Sequence, residues 1–284
     1  MKQVLIILIS LVSLIASGQN DTIPLDLTKK YFKGELRNYK AVLTGEAKDQ
    51  NFNPKKISKK ADLEFETLIN SNNIAAIAIS LTEGKQHSDI YAFWTKDKDW
   101  QITAFRALWL PGMFYMLLDN YKDLDSEGIK KEYMKMLKEV KQKNDTLTDE
   151  QIVEKIGTLD DFRFDVENMK LTVCSDKDLK EHFYKNQYEF TVLLDKVQND
   201  SISETKTWHI SKQSDYKKQL QNLLITGISG YKSSPIIDFQ IGGVIDNSVG
   251  YFYCEKPEDV PEMSDNRYIM IRELGNGWYL YKTT

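Results

Sequence analysis

Three strand-like runs follow one another between residues 74 and 106. Residues 74–81 form a β-branched apolar run. Residues 89–95 and 100–106 make two more strands, with Lys96-Asp-Lys-Asp99 turning between them as in a hairpin. Strands this close in sequence pair antiparallel, because a parallel crossover needs a dozen or more residues. On the last run Trp100, Ile102, Ala104 and Arg106 fall on one face by simple alternation. Helical periods flank the strands. Leu25, Leu27, Tyr31, Phe32, Leu36 and Tyr39 recur at helical steps through residues 25–45, and residues 60–70 read as a second short helix. Asn53-Pro54 breaks the chain between them, and Lys55, Lys56, Lys59 and Lys60 read as a solvated face. Sheet and helices that do not alternate regularly give an α+β fold.

Residues 107–118 are the most hydrophobic stretch after the N-terminus, with Pro111 placed to start a helix. The reading is a buried helix closing a first domain, with a partner-facing or membrane-touching helix as the alternative. An amphipathic, lysine-rich helix covers 127–143, and Thr148 with Gln151 forms a capping box that leads to Gly157. The boundary is placed between 144 and 165, giving domains at 19–155 and 156–284. The second domain reads as a strand at 170–174, a cap at Ser175, and one long helix carrying Leu179, Phe183, Phe190, Leu194 and Val197. A strand edge at 208–210 and a helix at 216–224 come next. Strands at 236–241, 250–254, 267–272 and 278–282 complete it, the last two joined through Glu273-Leu-Gly-Asn-Gly277.

Residues 1–18 carry the pattern of a secretory signal peptide: Lys2, an apolar core from Val4 to Ile15, then Ala16-Ser-Gly18 before Gln19. That core is shorter than the roughly 20 residues of a membrane span. The expectation is export to the periplasm or the extracellular space, with no span left after cleavage. A net charge of −4 gives no reason to expect nucleic acid as a partner. Cys174 and Cys254 lack CxxC spacing. They are read either as a disulfide, which an oxidising compartment permits, or as two small apolar residues on separate strands.

The order helix, helix, strand and long hairpin, ending in Asp99-Trp-Gln-Ile-Thr-Ala-Phe-Arg106, resembles the NTF2-like superfamily of cone-shaped α+β rolls over residues 25–120. Where such folds act as enzymes, the resemblance implies acid–base residues on the inner face of a curved sheet. No His–Asp pair falls at matching positions on two strands here. Asp178-Leu-Lys-Glu-His-Phe183, Gly250-Tyr-Phe-Tyr-Cys254 and Gly277-Trp-Tyr-Leu-Tyr281 are similar to a C-terminal module of uncharacterised exported bacterial proteins. That likeness implies a shared fold and export, and it brings no catalytic residue.

Chemistry is sparse in the pattern. The three histidines are His87, His182 and His209. His87-Ser-Asp89 offers two metal ligands where a site needs three or four, so no metal is expected. His182 reads as a structural histidine. No G-x-S-x-G, P-loop or dinucleotide fingerprint occurs, and no cofactor is implied. The candidate site is in the first hairpin, where Tyr91, Trp94 and Trp100 would line an aromatic cleft with Arg106 at its rim to hold a carboxylate. The competing reading of Arg106 is a sheet cap paired with an acid. Taken together, the sequence describes an exported, non-catalytic binding or interaction module whose partner is a small molecule or a protein. An NTF2-like enzyme on a small molecule is the alternative. An immunity-type partner of another protein is a second, and it requires an exposed patch larger than monomers show.

Overall fold

The computed structural model describes residues 23–50, 52–144, 146–200, 207–211 and 215–284, so the leader pattern of residues 1–18 lies outside it. The fold is α+β with two antiparallel sheets, of four and six strands. The chain forms two compact units. One holds the described residues up to Ala107 with Met263–Met270 and Thr284; the other holds Leu108–Glu262 and Ile271–Thr283.

In the first unit, helices α1 (Ile23–Phe32) and α2 (Gly45–Gln50) accompany a meander of β1 (Asp62–Asn70), β2 (Ile74–Glu83), β3 (Gln86–Lys96) and β4 (Trp100–Arg106). The helix expected through residue 45 stops at Phe32. Gly34 adopts φ +68°, which lets the Glu35 N–H reach back to the Lys30 carbonyl at 2.9 Å. The helix expected at 60–70 is strand β1. Its apolar positions 63, 65, 68 and 69 fit either period, and the open edge of β2 decides between them: Leu63 pairs with Leu81 and Phe65 with Ile79. The core gathers Tyr31, Phe32, Ile77, Ile79, Trp94 and Ile102. The Tyr31 hydroxyl donates to the Phe52 carbonyl at 2.7 Å, and the Phe105 ring centre lies 5.6 Å from that of Tyr31. Strand β4 is an edge. The Gln50 side-chain amide blunts it by accepting from the Phe105 N–H and donating to the Phe105 carbonyl, both at 3.1 Å.

The second unit begins with α3 (Gly112–Tyr121), α4 (Ser126–Lys143), α5 (Asp149–Ile156) and α6 (Leu159–Thr172). Whereas the sequence places a boundary between 144 and 165, α3 to α5 belong to the C-terminal unit because they pack on α6. The rings of Tyr121 and Tyr133 lie 5.6 and 5.9 Å from that of Phe162. Lys170, on α6, donates to the Leu124 carbonyl at 2.6 Å. The strand expected at 170–174 is the end of α6, a helix set by a Thr158–Asp161 capping box. The single long helix is two, α7 (Asp176–Lys185) and α8 (Gln187–Gln198). Asn186 breaks it by turning its amide back to the His182 carbonyl at 2.8 Å.

Strands β5 (Thr207–Ser211), β6 (Gly227–Tyr231), β7 (Ile236–Val244), β8 (Asn247–Cys254), β9 (Tyr268–Gly275) and β10 (Trp278–Thr283) form the larger sheet in the order β5-β6-β7-β8-β10-β9. Helix α9 (Lys217–Asn222) lies between β5 and β6 in sequence. Sequence reading missed β6 because two glycines mask its pattern. Gly230 leaves room for the Trp208 ring on β5, where an added Cβ would come within 2.4 Å of it. Gly250 does the same in mid-sheet. A Cβ there would sit 2.5 Å from the Phe239 carbonyl and 3.0 Å from the Tyr281 ring. Gly250→Ala is therefore expected to destabilise the fold by about 2 kcal/mol through overpacking, read as a lower urea midpoint with an unchanged slope.

Candidate functional site

The cleft drawn from sequence does not form, because a β-bulge splits its residues between two faces. Trp94 pairs with Ile102 and Phe93 with Ala104, so Thr103 is the extra residue. Before it, Trp100 and Ile102 face the aromatic core with Trp94, which is wholly buried. After it, Ala104 and Arg106 turn to the opposite face with Tyr91, the direct cross-strand partner of Arg106. The alternation that put Trp100, Ile102, Ala104 and Arg106 on one face fails at that residue. Trp94 and Trp100 are core; the Trp94 indole N–H has no hydrogen-bond partner among the described residues. Arg106 is occupied within its own unit. It meets Glu46 at 2.6 Å and donates to the Phe105 carbonyl at 3.1 Å and to the Asp265 carbonyl. That is the sheet-cap arrangement, not a free fork for a carboxylate ligand.

His87 and Asp89 lie on strand β3, directly opposite Thr82 and Ser80. The four side chains form a closed ladder. Thr82 Oγ1 is 2.9 Å from His87 Nδ1, His87 Nε2 is 2.9 Å from Asp89 Oδ1, and the Ser80 hydroxyl donates to that same oxygen at 2.7 Å. Among the described residues, no group of three or more His, Cys, Asp or Glu side chains is placed to hold a metal ion.

Buried polar groups of the second unit are structural. His182 Nε2 donates to the Leu223 carbonyl at 3.1 Å, and the ring stacks on Tyr251. Burial lowers its pKa, which favours the neutral ring. Cys174 and Cys254 are both free. Burial pushes the Cys174 thiol up to about 11, which makes it a poor nucleophile. Asp176 lies between Arg272 and Lys282, all three almost without solvent contact. Asp238, on β7, takes hydrogen bonds from Tyr281 and Ser229, while burial raises its carboxyl to about 6.

The lysine cluster borders an open groove of about 660 Å³, lined by Lys33, Lys55 and Lys59 beside Phe32 and Ile57. Its lysines are exposed, as read from sequence.

What stands out is helix α3. Expected to be buried, it is largely exposed. Met113, Met116 and Leu117, with Asn120, run at i, i+3, i+4 and i+7 as one outward stripe. Met113 is 72% exposed, Met116 71%, and Trp109 just before the helix 66%. Leu118 alone in the helix is buried, while Phe114 and Tyr121 on its side are half-buried. A helix apolar on every side belongs in a core. This one has an inner stripe that packs and an outer one that faces solvent. No described helix is long and apolar enough to cross a membrane. Composition located the segment; only packing showed which side was left uncovered.

Comparison with known proteins finds no matching family model, no matching curated protein and no matching solved structure.

Proposed function

We propose that this chain is an exported, non-catalytic interaction protein that docks through the outward stripe of α3. The leader pattern of residues 1–18 supports export. One observation carries the docking: a stripe of Met113, Met116 and Leu117 left in water, with exposed Trp109 just before the helix, of the kind that marks association surfaces rather than monomer surfaces. Methionine suits it, because a flexible, polarizable side chain adapts to a partner's relief. The face that an NTF2-like enzyme would use for substrate is filled by Trp94, Trp100 and Ile102.

A photo-crosslinking phenylalanine analogue placed at position 116 of the exported protein, in intact cells, tests this reading. The expected result is a discrete adduct from position 116 and none from position 138, an exposed lysine on α4. Equal labelling from both positions, or none from either, overturns it.

A further inference from the structure

We propose that the occupant of the α3 stripe is a second copy of this chain, the two helices crossing antiparallel about a two-fold axis. The inference rests on the docking reading and adds the identity of the partner. Three observations lead to it.

The first is charge. The helix start has no acidic residue in its first turn and no side-chain cap, with Pro111 at the cap position. Its free N–H groups and the positive end of the dipole are therefore open to an anion. At the other end, Asp119 lies in the last turn of the helix, which holds no basic residue, and Asp123 follows in the exposed turn, while Asp125 caps α4 by accepting from the Gly128 N–H at 2.8 Å. Lys122, just beyond it, is engaged by Asp119 at 2.7 Å. The uncapped helix start and the acidic turn just after the helix are thus complementary, and they meet when two copies lie antiparallel.

The second is the stripe itself. In that arrangement Met113 of each copy lies beside Asn120 of the other, and Met116 of each lies beside Leu117 of the other across the axis. A two-fold interface requires such self-complementarity.

The third is area. Two faces built from Trp109, Met113, Met116 and Leu117 would bury on the order of 1,000 Å², about what a weak, reversible interface needs. A lipid surface fits less well. Interfacial helices carry Lys and Arg on their polar side, and the polar residues here are mostly acidic.

Sedimentation equilibrium of the exported protein is expected to show a reversible dimer at about tens of micromolar. Met116→Glu and Met116→Lys should each weaken it by about tenfold or more, since like charges meet at the axis, with circular dichroism unchanged. Mixing the two variants in equal amounts should restore the dimer, because the charges then oppose. A protein that is monomeric throughout, a dimer indifferent to both substitutions, or a mixture that stays monomeric overturns the proposal. The crosslink from position 116 separates the two claims. An adduct at a mass other than twice the chain's, with a monomer in the centrifuge, removes the self-pairing and leaves the docking; no adduct removes both.

Discussion

Asp176→Ala is expected to cost about 3–5 kcal/mol of stability. The carboxylate sits in the first turn of α7, capped by Ser175, and holds two cations from the sheet. Oδ2 accepts from Arg272 Nε at 3.0 Å and Nη2 at 2.9 Å, and Oδ1 meets Lys282 at 2.8 Å. Each of the three side chains is at most 7% exposed. Removing the anion strips both cations of it in a place where water cannot substitute. Replacing the whole cluster is different. A triple variant with Asp176→Leu, Arg272→Met and Lys282→Met removes the desolvation of all three charges, and it should recover most of the loss. Urea unfolding of the single and triple variants checks both statements. A single variant within about 1 kcal/mol of the parent would show that the cluster is hydrated and does not tie α7 to the sheet.

Asp238→Asn is expected to change how stability depends on pH. Burial favours the neutral acid and raises the carboxyl from 3.8 to about 6, against the hydrogen bonds from Tyr281 and Ser229. Its Oδ1 has no hydrogen-bond partner among the described residues. A raised acid binds its proton more tightly in the folded chain than in the unfolded one. The stability tied to that proton is complete below pH 3.8 and is lost as pH rises through about 6. The loss amounts to about 3 kcal/mol by pH 7. Asparagine keeps the acceptor oxygen and carries no charge at any pH. The variant should therefore match the parent's pH trend below pH 4 and gain on it by about 3 kcal/mol between pH 4 and 7. Denaturant unfolding at half-unit pH steps measures the difference, which cancels every other carboxylate. Parallel curves would place Asp238 in contact with water.

Local signals in the sequence located most of the elements. The hairpin of β3 and β4 was legible from its alternation and its Lys-Asp turn, and α4 from its stripe of Ile129, Tyr133 and Met136. The Thr148–Gln151 box and the Gly157 stop are present as read, because capping depends only on residues three apart. The misreadings share a cause. Residues 60–70 and 170–174 are short apolar runs compatible with two periods, and each took the form its neighbour offered: an open strand edge for the first, a capped helix for the second. Trp94, Trp100, Tyr91 and Arg106 were placed correctly on strands, yet Thr103 inserted one residue and divided them. A two-residue period has no memory past a bulge.

The α+β class, the first hairpin, the capped helices and the position of the most hydrophobic segment come from the amino-acid sequence, since each depends on neighbours within one or two turns of chain. Which face of α3 stays in water, and which charges meet at Asp176, was decided by the tertiary structure alone. Both depend on residues brought together from up to about a hundred positions apart, as Asp176 and Arg272 are. No local period records that closure, because burial is a property of what packs against a side chain and not of the side chain itself.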